Sequence, residues 1–101
     1  MLVRIVRMTF KQSEVNTFLS LFESVKTKIR TFEGCEHLEL LRDYDNPCIY
    51  HTYSVWKDGE HLENYRKSEL FNDTWAKTKV LFGDKPSAFS LLKDTPFDFG
   101  K

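Results

Sequence analysis

One apolar stripe early in the chain constrains the fold more than any other feature. Apolar residues recur at steps of three and four, at Val15, Phe18, Leu19, Phe22, Val25, Ile29 and Phe32. This spacing predicts a long amphipathic helix over residues 14–31, because such steps return to the same face of an α-helix. Gly34 follows the last apolar position, as expected where a helix ends.

Four segments rich in β-branched and aromatic residues are predicted to be strands. They cover residues 2–10, 35–43, 48–57 and 87–93. The second and third are separated by Tyr-Asp-Asn-Pro at 44–47, which is a turn by composition. These two strands should therefore form an antiparallel hairpin.

A second helical region follows the hairpin in two pieces. Asp58 is predicted to cap a helix over residues 59–67, and Ser68 to cap another over residues 69–82. The resulting order, βαββαβ, predicts an α+β ferredoxin-like fold, with a four-stranded antiparallel sheet and helices on one face. We expect one domain over residues 1–95 and a C-terminal arm over residues 96–101.

Composition excludes several classes of function. The 101 residues carry 15 basic and 15 acidic side chains, so nothing in this balance attracts nucleic acid or a membrane surface. No apolar run approaches the roughly 20 residues that cross a bilayer. A cytoplasmic protein is the default expectation, and its two cysteines, Cys35 and Cys48, should lie too far apart along the hairpin for a disulfide.

The predicted hairpin has two unlike sides. With Asp45 and Asn46 at its tip, the expected pairs are Leu41 with Tyr50, Glu39 with Thr52, His37 with Ser54, and Cys35 with Trp56. The opposite side is more apolar and is assigned to the helices; it carries Leu38, Leu40, Ile49, His51, Tyr53 and Val55. The mixed side would remain exposed in a lone domain, so we expect a second copy to cover it in a homodimer.

Aromatic residues and one histidine are the candidates for a functional site. Tyr53, Tyr65, Phe71 and Trp75 could line a cavity between sheet and helices, or could form ordinary core. His51 would be the candidate catalytic base, with a buried core histidine as the alternative. Trp56 is expected mainly on the subunit side, with ligand contact as the alternative. The three histidines lack metal-motif spacing, so neither a metal nor a cofactor is predicted.

Two stretches, FEGCEHLELLRDYDNP and YSVWKDGEHLENYRKSELF, resemble the antibiotic biosynthesis monooxygenase superfamily. The resemblance is carried by Gly34-Cys35, by Leu40 to Asp43 with Pro47, by Tyr53 to Trp56 and by Ser68 to Phe71. It implies a dimeric α/β barrel, in which two sheets pack face to face. It also implies cofactor-independent oxygenation of a quinol or polyphenol, with the substrate supplying the electrons to O₂.

The chain departs from the polar residues of that superfamily. Haem-degrading relatives use Asn, Trp and His at positions that fall near Val6, Tyr65 and Trp75 here, which argues against haem degradation. Quinol-oxidising relatives often carry Glu and His where Ser54 and Tyr65 stand.

The predicted function is the binding, or the cofactor-independent oxidation, of a small aromatic compound. The alternative is a non-enzymatic dimer that binds a ligand or serves in a stress response. The arm, with Phe97 and Phe99, is expected to pack on the partner subunit.

Overall fold

A computed structural model describes residues 1–94 and shows an open four-stranded antiparallel sheet with helices on one face. A single 3₁₀ turn, Gln12–Glu14, precedes the first helix. The elements, in chain order, are β1 (Leu2–Thr9), α1 (Val15–Arg30), β2 (Cys35–Arg42), β3 (Ile49–Trp56), α2 (Gly59–Arg66), α3 (Glu69–Lys79) and β4 (Ser87–Leu92). The strands lie in the order β2-β3-β1-β4, so the predicted ferredoxin-like fold is confirmed.

Both predicted helix caps of the second helical region are present. The Asp58 carboxylate accepts a hydrogen bond from the backbone N–H of His61 at 2.9 Å and starts α2. The Ser68 hydroxyl accepts one from the backbone N–H of Phe71 at 3.1 Å and starts α3. Each cap satisfies one of the N–H groups that the first turn of a helix leaves unpaired.

Two clusters of buried residues hold the helices on the sheet. The first joins β1, α1 and β3 with the segment after α3; its members are Met8, Phe10, Phe18, Tyr50 and Leu81. The second joins the start of β2 with the end of β3 and α2; its members are Cys35, Trp56 and Leu62. The stripe predicted in α1 contributes Phe18 and Ile29 to the buried set.

A β-bulge between Cys35 and His37 changes the predicted hairpin register. Cys35 pairs with Trp56 as expected, but beyond the bulge His37 pairs with Val55 and Leu41 with His51. The predicted pairing of Leu41 with Tyr50 is therefore wrong by one residue. A bulge places two residues opposite one, and composition alone did not reveal the extra residue.

The bulge also corrects the assignment of faces in β3. Leu38 faces the helices as predicted, but its partner across the sheet is Ser54. Partners in an antiparallel pair point to the same side, so the side of β3 toward the helices carries Tyr50, Thr52, Ser54 and Trp56. The prediction that His51, Tyr53 and Val55 lie beneath the helices is wrong.

The other side of the sheet, here called the open face, is not covered by any helix of residues 1–94. Cross-strand pairing assigns to it Val3, Ile5, Arg7, His37, Glu39, Leu41, His51, Tyr53, Val55, Ser87, Phe89 and Leu91. Three of its large apolar side chains are about half exposed: Leu41 at 45%, Phe89 at 47% and Leu91 at 49%.

Two remaining expectations concern the ends of the chain and the membrane. The predicted arm at 96–101, with Phe97 and Phe99, lies outside the described residues. Over residues 1–94, no helix combines the length and the apolar character that crossing a bilayer requires.

Candidate functional site

A cavity of about 300 Å³ lies between the sheet and the helices. Both core clusters contribute to its walls, the first through Met8 and Phe18 and the second through Trp56 and Leu62. Helix α1 adds Phe22 and Val25 along one side, and most of the remaining lining is also apolar. The volume is at the lower end of the range found for small-molecule sites.

Four aromatic rings form a continuous wall of this cavity. Trp56 stacks on Tyr65 with ring centroids 4.9 Å apart and an interplanar angle of 27°. Tyr65 meets Phe71 edge-on at 5.3 Å, and Phe71 stacks on Trp75 at 5.9 Å and 8°. These are separations and orientations that aromatic pairs prefer, so the rings brace one another.

Trp56 is held in place by a hydrogen-bond chain to β1. Its indole N–H donates to the Ser54 hydroxyl at 3.0 Å, and that hydroxyl donates to the Arg4 carbonyl at 3.4 Å. Trp56 is 1% exposed. The prediction that it lies on the subunit side of the sheet is wrong, because the β3 register turns it toward the helices.

Tyr65 is a neutral polar group in this wall. Burial raises the pKa of its phenol far above the ordinary value, and the charge of an ionised Cys35 would raise it further. The pKa of the Cys35 thiol is itself raised by burial. The phenol therefore stays protonated at physiological pH, so Tyr65 can donate a hydrogen bond to a ligand but cannot act as a base.

Two arginines line the cavity, one from the sheet and one from a helix. Arg4 lies on β1, one of the two central strands, between Ser54 on β3 and Ser90 on β4. Its Nη1 donates to the Ser90 hydroxyl at 3.1 Å. Arg66 comes from the last turn of α2. Burial, and next the positive charge of Arg66, lower the pKa of Arg4, while Glu63 opposes this shift. Both side chains line the same cavity, so each positive charge disfavours the other.

Thr74 on α3 presents an unused hydroxyl at the same cavity. Within residues 1–94 its Oγ1 is buried and has no hydrogen-bond partner. The neighbouring Thr78 does not supply one, because its hydroxyl donates to the Thr74 carbonyl at 2.7 Å. A buried hydroxyl without a partner costs free energy, so this position suits a polar ligand atom.

The predicted site residues divide between the two faces of the sheet. Tyr65, Phe71, Trp75 and Trp56 line the cavity. Tyr53 pairs with Ile5, and His51 with Arg7, on the open face. The expectation that His51 and Tyr53 face the helices is wrong, and the bulge in β2 is the physical reason.

Three polar residues that line the cavity, Arg4, Arg66 and Thr74, were not among the predicted site residues. The stretch LVRIVRM places Arg4 and Arg7 three residues apart, so in a strand they must point to opposite faces. One arginine had to face the helices, and this was the available signal. Thr74 carried no signal, since an unpaired hydroxyl is visible only after packing is known.

The fold and the cavity define a ferredoxin-like α+β protein with an aromatic-walled pocket beneath its helices. The family model of the antibiotic biosynthesis monooxygenases matches residues 1–77. The chain belongs to this family.

Solved structures of other proteins share the fold of this chain. A structure described as an antibiotic biosynthesis monooxygenase has 18% identity and a TM-score of 0.87, with 94% of this chain and 100% of that one covered. A conserved protein from Methanosarcina mazei Go1 has 21% identity and a TM-score of 0.87, with coverage of 93% and 94%. Rv0793 from Mycobacterium tuberculosis has 17% identity and a TM-score of 0.83, with coverage of 99% and 98%.

These similarities establish the fold and not the reaction, since function resides in sites and not in folds. No curated protein matches the sequence.

Proposed function

We propose that the protein binds a small electron-rich aromatic compound, such as a quinol or polyphenol, and oxidises it with O₂ without a cofactor. The observation that supports this most is the cavity walled by Trp56, Tyr65, Phe71 and Trp75. An engineered apolar cavity of about 150 Å³ holds one benzene, so about 300 Å³ suits a ligand of roughly two rings. Stacked and edge-on rings offer such a ligand matching surfaces.

The chemistry requires little from the protein. A quinol gives two electrons and two protons to O₂ and leaves as a quinone, with hydrogen peroxide as the other product. In a polyphenol of the anthrone type, the methylene group between two aromatic rings instead loses two C–H bonds and becomes a carbonyl, which is a four-electron oxidation. In that second case O₂ accepts all four electrons, and one of its oxygen atoms enters the carbonyl while the other leaves as water. The cavity binds the substrate, excludes bulk water and shields the reactive intermediate from it.

Oxygen consumption tests the proposal directly. Quinols and anthrones are incubated with the protein in air, and O₂ uptake is compared between the native chain and Trp75→Ala. Tyr44→Ala is the matched control, because Tyr44 is 100% exposed. We expect uptake above the spontaneous rate, lost in Trp75→Ala and kept in Tyr44→Ala, and, when the substrate is an anthrone, one atom of labelled oxygen in the product. A rate equal to that of the blank with every electron-rich phenol refutes the oxidation.

A binding role without turnover is the second candidate. It is favoured by the lining of the cavity, which over residues 1–94 contains no histidine, aspartate or glutamate to act as a base. Ligand-dependent shifts in the NMR spectrum without O₂ uptake would identify this role. It corresponds to a ligand-binding or stress-response protein of the same fold.

We also propose that the protein is a homodimer in which a second copy covers the open face. The support is the row of half-exposed side chains Leu41, Phe89 and Leu91, since a sheet face of this character packs well against another sheet. Phe89→Asp should shift sedimentation toward the monomer. Val80→Asp is the control, because Val80 is 64% exposed and follows α3, away from the open face. A native protein that sediments as a monomer at micromolar concentration refutes the dimer.

A further inference from the structure

The arginines of the cavity are poorly explained by their protein contacts. The Glu63 carboxylate lies 3.5 Å from Arg66 Nη1, but both side chains are about half exposed, so the pair is weak. Arg4 is partly buried and uses one N–H on the Ser90 hydroxyl. Each guanidinium has five N–H donors. Most of this donor capacity has no acidic acceptor among the lining residues of 1–94.

The simplest structural explanation covers only one of the two. Arg66 stands in the last turn of α2, where a positive charge complements the helix dipole. This reason does not apply to Arg4, which sits on β1, one of the two middle strands of the sheet, with its side chain toward an apolar cavity. A partly buried cation beside a second cation is costly unless a negative charge joins them.

We propose that Arg4 and Arg66 make this cavity a site for aromatic anions, and that they hold the ionised oxygen of a phenolate or aromatic carboxylate between them. The inference rests on the same cavity as the proposed function and names its substrate class. The ring of the ligand lies against the aromatic wall. The proton of a phenol passes to solvent at the cavity mouth, and the oxygen accepts N–H bonds from the arginine pair.

This arrangement explains how the site works without a base. A phenolate gives up electrons to O₂ more readily than the neutral phenol does, and a nearby cation favours the ionised form. The Thr74 hydroxyl, buried and without a partner in the described residues, remains free to bond a second oxygen of the ligand. The arginine pair thus replaces proton abstraction by charge stabilisation.

A chromogenic phenol provides the test. 4-Nitrophenol is titrated from mildly acidic to mildly alkaline pH with saturating protein, and the absorbance of its phenolate gives the apparent pKa of the bound ligand. We expect the native chain to lower that pKa by at least about one unit, which is a tenfold preference for the anion. Arg4→Gln and Arg66→Gln should each return it toward the free value, and Arg4→Lys should keep most of the shift.

Two controls and one neutral ligand make the outcomes distinct. Arg42→Gln and Lys67→Gln remove charges that do not line the cavity and should leave the shift unchanged. Nitrobenzene is the uncharged analogue, and its binding is measured by calorimetry.

The combination of results separates the proposals. If nitrobenzene binds but the bound nitrophenol titrates at or above its free pKa, the anion site is wrong while the aromatic cavity stands. If neither ligand binds, both proposals fail. If the shift is present without O₂ uptake from any quinol, the oxidation alone is refuted.

Discussion

Replacing Gly34 by alanine should destabilise the protein by about 2–4 kcal/mol, through two separate effects. Gly34 has a φ of +89°, in the left-handed region, where a side chain costs about 1–2 kcal/mol. A Cβ built on Gly34 would also overlap the Cβ of His61 on α2, so the backbone must move. Such overpacking typically costs about 1–3 kcal/mol, and the lost freedom of the unfolded chain returns about 0.4–1 kcal/mol.

Urea denaturation followed by circular dichroism measures this change. Gly59→Ala is the matched control, because a Cβ at Gly59 meets nothing within 4 Å and Gly59 opens α2. That substitution should be neutral or should stabilise the protein by about 0.4–1 kcal/mol.

A His61→Gly background separates the two effects of the alanine. There Gly34→Ala should cost only about 1 kcal/mol, because the contact with the His61 Cβ is gone and the left-handed penalty is partly offset by the lost freedom of the unfolded chain. An equal cost in both backgrounds would show that the contact between His61 and residue 34 does not contribute to the destabilisation.

Three further changes test the site and its surroundings. Hydrogen bonds from the backbone N–H and then the side chain of His61 lower the pKa of Asp58, so this carboxylate stabilises the fold above its unfolded pKa, and that stability is lost as pH falls through the folded value. Asp58→Asn should therefore flatten the acid limb of a plot of thermal stability against pH, and a limb as steep as the native one would contradict this. Because burial raises the pKa of Tyr65, its phenol should ionise only when alkaline pH unfolds the protein, and Tyr65→Phe should remove that late step from a titration followed by ultraviolet absorbance. If the substitution instead removes a phenol that titrates in its ordinary range, the burial argument is wrong. Ser54→Ala leaves the Trp56 indole N–H without its acceptor and should cost about 1–3 kcal/mol in urea melts, while an unchanged midpoint would show that the bond is unimportant.

The order and type of the elements were predictable because each is determined locally. The apolar stripe of α1, the caps at Asp58 and Ser68 and the turn at 44–47 act within a few residues of sequence. The register of the hairpin was not predictable in this way, because it depends on how two strands pair across the turn. One extra residue between Cys35 and His37 reverses which side of β3 meets the helices, and a one-residue slip always exchanges the two faces of a strand.

The candidate site residues on the helices were predicted correctly, whereas those that depended on the strand register were not. Tyr65 lies on α2, and Phe71 and Trp75 lie on α3, where the predicted helices were correct, and all three line the cavity. His51 and Tyr53 depended on the strand register and were displaced with it. Arg4 could have been found from its place in β1, but its closeness to Arg66 depends on how α2 crosses the sheet, which no short stretch of sequence specifies.

The positions of the two tryptophans give the cavity an optical signal of its own. Trp56 and Trp75 are the only tryptophans of the chain, and both belong to the cavity wall. The tryptophan fluorescence of the protein therefore arises entirely from residues that a bound ring would touch. Any ligand that absorbs in the range of this emission should dim the emission by energy transfer, so unlabelled native protein can be screened against collections of aromatic compounds.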